Sequence, residues 1–518
     1  MSGIVPFSGT FCDYLHDESR LVGRADSVST PDTAEEAAEQ LRELVRGKTR
    51  ITIQGARTGI CGAAVPQDGH VMSMARLNRI TALRQSAEGG FVLFVQPGLS
   101  LADINSHLRL RSFDTADWDE ESLRCLELLR KAPPQRFAPN PTEDTASIGG
   151  AFACNARGLN ELSFGSVGAN VEVLTVLLPD GREWRIERGE YVYDGESWPL
   201  PGGERLSVKA ADAAECFPAL SSRKGMDLID LFAGSEGMLG TVLELGLRLR
   251  PAAREQWGMC FFLPKLDAAA RFGLGVLNAP TEGVCLAALE LMDSATLTHV
   301  RESAATIERL RRLPALPERS VAAVYIELEG EEEDAMAEAV MQISALFEEC
   351  GGLDEDTWFY EGEDEVAKLR VFRHAAPESV NMAVDRARLT DESITKLCLD
   401  MTLPVERLGD MLCRYEEDIA CAGYDGTVFG HFGSGRLHVN IIPRDSAEKE
   451  RAKLLLRTWA EAAAGYGALL AGENGIGKQK KYLLSLCSAQ RLEAAHTIKN
   501  YFDPEGLLNP GNLFPEEL

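Results

Sequence analysis

Two spacings of hydrophobic and polar residues run through the chain. Leu41, Leu44 and Val45 recur at the three-to-four-residue spacing of an amphipathic helix. Thr33 and Glu36 precede them at capping-box spacing, and Gly47 follows as a stop signal. Residues 51–53 read as a short strand and 54–62 as a Gly-rich loop. Residues 91–95 read as a buried strand ended by Pro97-Gly98. Residues 171–178, the turn signal Pro179-Asp180-Gly181 and residues 183–187 predict a hairpin. Leu243, Leu245, Leu247 and Leu249 alternate with Glu244, Gly246, Arg248 and Arg250, the pattern of a strand with one buried face. Pro251 ends it, which places a domain boundary at 252/253. Residues 139–168 are rich in Gly, Asn, Ser and Thr, lack a period, and predict a long functional loop.

The second half changes style. Residues 259–263, 288–292, 321–328 and 398–403 read as strands. Helical patterns separate them, at 267–277 and through Val340, Ile343, Leu346 and Phe347. Such mixing predicts an α+β layer. There is no exact repeat, low-complexity segment or long linker.

Composition narrows the classes. The 518 residues carry 53 Lys plus Arg against 80 Asp plus Glu, a net charge of 53 − 80 = −27. That length predicts about three domains at roughly 150 residues each. An acid excess argues against nucleic acid, whose phosphates are neutralised by Lys and Arg, and against docking on anionic lipid by charge. No run of apolar residues is long enough to span a bilayer, and residues 1–20 lack the features of a secretory signal. The twelve cysteines are scattered without a C-x-x-C pair, which speaks against an iron–sulfur cluster or zinc ribbon. Free thiols fit a reducing cytoplasm, the expected location.

Three loops carry candidate chemistry in the first half. Gln54-Gly55-Ala56-Arg57-Thr58-Gly59 continues to Gly62 with small residues that let backbone N–H groups converge on a phosphate. Ser147-Ile148-Gly149-Gly150 with Asn155 and Gly158 is the second, and Gly234 to Gly240, containing Glu236, is the third. Each alone is equally a plain turn. Together they suit an extended phosphate-bearing ligand, and none follows the G-x-G-x-x-G order of a nicotinamide domain. These loops, with Val95-Gln96-Pro97-Gly98 and residues 178–181, make the segment 20–252 resemble the FAD-binding domain of the vanillyl-alcohol oxidase and p-cresol methylhydroxylase superfamily. The resemblance implies that Gln54, Gly55, Ala56, Arg57, Thr58, Gly59, Pro97, Ser147, Ile148, Gly149, Asn155, Gly158, Glu236, Gly240 and Val242 bind FAD. Arg57 stands where the family has Gly. Cys61 is not at a tether position, so the FAD is expected to be non-covalent.

In the second half, His431 and His438 flank Phe-Gly-Ser-Gly-Arg-Leu. A two-residue turn at Ser434-Gly435 places them opposite each other across a hairpin, close enough to share a metal. A continuous strand puts them on opposite faces. Two structural, hydrogen-bonded histidines are an equal alternative. Glu473, within Gly472-Glu473-Asn474-Gly475-Ile476-Gly477-Lys478, offers a third ligand, and two His with one Glu suit Zn²⁺ or a similar ion. The same stretch fits part of a P-loop, but Gln479 stands where Ser or Thr holds Mg²⁺.

These motifs, with residues 503–512, make 253–518 similar to the C-terminal domain of FAD-linked oxidases, a group with glycolate oxidase flavoprotein subunits, D-lactate dehydrogenases and D-2-hydroxyglutarate dehydrogenases. The fold implied is α+β: residues 1–19 as an extension, a two-subdomain FAD-binding domain of the p-cresol methylhydroxylase type at 20–252, and an α+β substrate or cap domain at 253–518 with an antiparallel sheet and C-terminal helices. The resemblance implies that His431, His438 and Glu473 hold a divalent metal (Zn, or Mn or Fe), that Asn509 lies near the flavin, and that Arg373 binds the substrate carboxylate. A surface cation on a charged helix is the plain alternative for Arg373. Ser434, Arg436 and Asn512 depart from the family pattern. Asn474 replaces the acid/base His and cannot titrate near neutral pH, which makes His374 the candidate base.

The implied activity is oxidation of a D-2-hydroxy acid to the 2-oxo acid by hydride transfer to flavin N5. Electrons then pass to an electron-transfer flavoprotein, an iron–sulfur subunit, a quinone or O₂, and a homodimer is admitted. The competing functions are non-redox chemistry on the same fold, as in alkylglycerone-phosphate synthases, and an ATP-binding protein built on the P-loop-like stretch.

Overall fold

The computed structural model describes residues 3–86, 88–209, 220–279, 282–304 and 306–514. It divides into two compact units. The first comprises residues 1–157, 165–252 and 473–518; the second comprises 158–164 and 253–472. The cut at 252/253 is therefore crossed twice: the last segment returns to the first unit, and a short insertion from the front belongs to the second. Residues 1–19 fall within the first unit.

The first unit carries two sheets. Val5–Pro6, Ser27–Ser29, His70–Ser73 and Ile51–Gln54 form one, with the last three strands parallel. Helix Ala34–Arg46 follows the expected cap: Thr33 Oγ1 accepts the Glu36 N–H at 3.2 Å. Its Ala37, Leu41 and Leu44 are buried with Ile51, Met72 and Leu508. The other sheet is antiparallel, in the order Ile80–Gln85, Phe91–Val95, Thr241–Arg248, Val171–Leu177, Glu183–Glu187. The alternating strand behaves as its pattern demands, burying Leu243, Leu245 and Leu247 while Glu244 and Arg248 lie further out. The predicted hairpin forms, with Leu177 opposite Glu183 and Gly181 at φ 87° in its turn.

The stretch 139–168 is not all loop. Ile148–Ala153 is a short helix, and Glu161–Phe164 is another turn of helix. Tertiary bonds hold the first: Ile148 N–H donates to Leu99 O and Gly149 N–H to Pro97 O, both at 2.8 Å. A six-residue helix containing two glycines has too little period or propensity to be read locally.

The second unit is one seven-stranded antiparallel sheet with helices packed against it. Its order is Thr357–Glu361, Glu255–Leu263, Ala322–Gly330, Val284–Met292, Asp425–Gly430, His438–Ile442, Leu397–Leu399. The strand expected at 398–403 is only Leu397–Leu399, because Asp400 and Thr402 turn to bridge Ala471 and Leu469 instead. Helix Glu363–Arg388 seats Phe372 against Phe262 and Trp358 in a buried aromatic group. Within the described residues no helix is long and apolar enough to cross a membrane.

One buried histidine gives the first unit a pH signature. His70 bonds Ser27 Oγ through Nδ1 and Ser29 Oγ through Nε2, both at 2.8 Å, and burial pushes its pKa down to about 4. The unfolded imidazole therefore binds a proton that the folded one refuses between about 6.5 and 4. Stability from this group is complete above that window and falls on acidification, by at most about 1.4 kcal/mol per pH unit. Urea midpoints measured from pH 7 to 4.5 should decline less steeply in His70→Gln than in the wild type.

Candidate active site

In the first unit, the three Gly-rich loops are fastened to one another by small residues and buried amides. A Cβ on Gly55 would collide with the Ser147 side chain, whose Oγ accepts the Ala56 N–H at 3.1 Å. A Cβ on Gly149 would lie 2.5 Å from that of Pro97. Gln54 is a strut: its Nε2 donates to Tyr14 O at 2.8 Å and Ala64 O at 2.6 Å. Arg57, where the family has Gly, takes the left-handed conformation at φ 62°, and its guanidinium lies 4.9 Å over the Tyr14 ring. Thr58 and Gly59 are half-buried in the same loop. Asn155, at φ 50°, accepts the Gly168 N–H through Oδ1 at 3.0 Å. Gly158 falls in the insertion that belongs to the second unit. Gly240 packs 2.7 Å from Val176 Cγ2 by the same measure, and Val242 pairs with Val176 in the sheet.

Glu236 closes this framework. Its carboxylate is 3% exposed and accepts the N–H of Ile476 at 2.7 Å and of Gly477 at 3.0 Å. Burial raises its pKa, and these two backbone bonds with the nearby Lys478 and Lys480 charges oppose the rise. The P-loop-like stretch thus spends two of its N–H groups on a protein carboxylate. It is followed by a turn and the 3₁₀ segment Lys481–Leu486, not by the α-helix a P-loop requires. That removes the basis of the ATP-binding alternative. Asn509, at φ 44°, joins the same framework, with Oδ1 accepting Ile53 N–H at 2.7 Å and Nδ2 donating to Glu236 O at 2.6 Å. Asn512, where the family has Lys, accepts from Lys478 Nζ at 2.6 Å.

In the second unit, the two histidines do meet, but not through the expected turn. Strand Asp425–Gly430 pairs with His438–Ile442 so that Phe429, not His431, stands opposite His438. The connection is a longer loop with a 3₁₀ turn at Phe432–Ser434 and Gly435 at φ 76°. Two-residue closure fails because Arg436 bridges Thr402 in a neighbouring segment, and its buried guanidinium grips both oxygens of Glu161. His431 leaves the strand and turns its ring toward His438, with centroids 5.7 Å apart at 73°. Gly430 permits the approach, since a Cβ there would lie 2.9 Å from His438 Cδ2.

Glu473 is the first residue of the segment that returns to the first unit, joined by its peptide bond to Gly472, whose N–H donates to Asp400 O at 3.0 Å. His431, His438 and Glu473 each offer one ligand atom, all within 4.8 Å of one another. That donor set fits a divalent cation of the zinc type.

Behind His431 lies a residue the sequence reading did not single out. Glu290, 1% exposed, accepts from His431 Nδ1 at 2.5 Å through Oε1 and from Arg373 Nε at 2.8 Å through Oε2. Burial opposes its charge, but the Arg373 guanidinium and His431 bring its pKa down to about 2. An ionised carboxylate only accepts, so His431 Nδ1 is the donor in this bond. Glu290 was legible as the single charge in a strand otherwise reading Ala-Leu-Leu-Met.

Arg373 is not a surface cation; it is 2% exposed on helix Glu363–Arg388. His374, beside it, is kept neutral: burial and then the Arg373, Arg370 and Arg309 charges push its pKa down to about 4. Asn474 is half-buried next to Glu473.

Known proteins resemble this chain in sequence and in fold. The family profile described as FAD linked oxidases, C-terminal domain, matches residues 254–513, and that of the FAD binding domain matches residues 25–119. A D-lactate dehydrogenase of Anaerostipes hadrus is 25% identical over 97% of this chain and 92% of its own. The glycolate oxidase subunit GlcD of Escherichia coli strain K12 is 27% identical over 99% of this chain and 87% of its own. Among solved structures, an alkyldihydroxyacetonephosphate synthase superposes with a TM-score of 0.61 over 98% of this chain and 82% of its own at 12% identity, a likeness of fold.

The Glu236 framework is directly testable. Glu236→Ala strands two buried N–H groups without an acceptor. Denaturant titration should show a loss of about 2 kcal/mol or more, accompanied by reduced flavin content.

Proposed function

This chain belongs to the family of FAD linked oxidases, and on that footing we propose that it is a metal-dependent flavin dehydrogenase converting a D-2-hydroxy acid into the 2-oxo acid. The convergence of His431, His438 and Glu473 carries the reading. The relatives named D-lactate dehydrogenase and glycolate oxidase subunit support the substrate class.

A bound FAD supplies a two-electron acceptor for the hydride from the substrate Cα, and a bound divalent cation supplies a Lewis acid that lowers the pKa of the substrate hydroxyl. The chain's residues do the rest. His431, His438 and Glu473 hold the cation, Zn²⁺ or alternatively Mn²⁺ or Fe²⁺. Two neutral imidazoles and one carboxylate leave a divalent ion with net positive charge, which attracts a carboxylate substrate. Arg373 receives the substrate carboxylate, and its Nε bond to Glu290 fixes the plane of the fork. Asn474 donates or accepts a hydrogen bond without moving a proton. His374 is the candidate base. A base with a pKa near 4 is weak at neutral pH, so the acidity of the hydroxyl is set mainly at the metal ligands. The loops at Gln54–Gly59, Pro97, Ser147–Gly149, Asn155, Gly158, Glu236–Val242 and Asn509 cradle FAD without a covalent tether.

The electrons leave to a second protein, an electron-transfer flavoprotein or iron–sulfur subunit, or to a quinone. The relatives named as glycolate oxidase subunits favour a partner subunit. We place the protein in the cytoplasm, where the thiols of its described cysteines stay free.

Anaerobic flavin spectra decide the reaction. With metal present, one of glycolate, D-lactate, D-2-hydroxyglutarate or malate should bleach the flavin band; no bleaching with any of them sinks the dehydrogenase reading and favours non-redox chemistry. His431→Ala should keep its flavin and lose at least about a hundredfold in reduction rate. A rate equal to the wild type would remove the metal from the mechanism.

A further inference from the structure

We propose that Glu290 is a positioning residue that serves two parts of the site at once, presenting His431 Nε2 as a metal ligand through Oε1 and orienting Arg373 through Oε2. The inference rests on the metal reading above and deepens it.

The residue type follows from hydrogen-bond bookkeeping. Arg373 Nε is always a donor. His431 must carry its hydrogen on Nδ1 if Nε2 is to bind a cation. Two donors therefore meet at position 290, and a carboxylate has two acceptor oxygens to meet them. A Gln has one acceptor and one donor, so it leaves one neighbour facing a like group. An Asp is shorter by about 1.5 Å and cannot span both at their present distances of 2.5 and 2.8 Å.

The backbone under Glu290 is rigid. Its strand, Val284–Met292, is paired on both sides, with Glu290 opposite Tyr325 and Leu291 opposite Gly430, one residue before His431. A carboxylate mounted there fixes the orientation of ring and fork more firmly than a loop residue would. A buried carboxylate retained only for stability is a poor bargain against apolar packing. A carboxylate that sets a ligand's tautomer has a reason to remain.

The same sheet face supplies a control. Glu327, on strand Ala322–Gly330, binds Arg370 Nε at 2.8 Å and Nη2 at 2.6 Å from the same helix. It is a buried carboxylate–guanidinium pair of the same kind, whose carboxylate also accepts the Tyr325 hydroxyl. If Glu290 were merely a structural ion pair, the two should behave alike.

The test uses the flavin-loaded full chain. The apparent Kd for Zn²⁺ is measured by competition with a chromophoric chelator for wild type, Glu290→Gln, Glu327→Gln and His431→Ala, alongside KM for the hydroxy acid at saturating metal. Glu290→Gln should weaken Zn²⁺ binding about 10- to 100-fold and raise KM at least about tenfold. Glu327→Gln should stay within about twofold of wild type on Zn²⁺ while losing stability. Zn²⁺ binding by Glu290→Gln within twofold of wild type, or an equal loss in Glu327→Gln, overturns the proposal. If wild type and His431→Ala take up Zn²⁺ equally, the metal reading itself has failed and takes this inference with it. Should Glu290→Gln not accumulate folded, Glu290→Asp carries the same measurement: weakened Zn²⁺ supports the proposal, and unchanged Zn²⁺ overturns it.

Discussion

A carboxylate withdrawn from water must be met by donors, and this constraint organises both units. Ionic groups in a protein interior are tolerated only when their charge and lone pairs are satisfied. In the first unit Glu236 answers it with the N–H groups of Ile476 and Gly477. In the second, Glu290 answers it with His431 and Arg373. Each carboxylate consequently joins segments far apart in sequence, and each fixes the side chains or backbone it bonds as a by-product of being satisfied.

The consequence for chemistry is a division of labour. Backbone and small residues shape the loops assigned to FAD: Gly55, Gly149 and Gly240 are sites of close approach where a side chain would meet a neighbour. Side chains shape the other candidate site, where the ligand atoms of His431, His438 and Glu473 lie within 4.8 Å of one another. Arg436, which departs from the family pattern, is absorbed into a buried pair with Glu161. The neutral His374 and the untitratable Asn474 leave activation of a hydroxyl to the proposed cation more than to a protein base.

Much of the fold was legible because it depends on local periodicity. The capped helix at Thr33, the hairpin through Gly181 and the alternating strand ending near Arg248 all follow spacing rules that need no partner. His431, His438 and Glu473 do come together as motif order suggests, but not through the expected turn. Ser434-Gly435 does not form a two-residue turn, because Arg436 is held by Thr402 and Glu161. The helix at Ile148–Ala153 was missed for a related reason, since bonds from Pro97 and Leu99 impose it on residues with little helical preference.

The sequence alone determined the α+β class, the loop glycines, the order of the two histidines and the glutamate, and the charge that disfavours polyanions, since composition and spacing are properties of the chain itself. Tertiary structure alone decided that residues 473–518 return to the first unit, that Arg373 is buried, and that Glu290 stands behind His431. A hydrogen bond between residues 141 positions apart leaves no trace in local pattern. Only the pairing of strands Val284–Met292 and Asp425–Gly430 brings its two ends together.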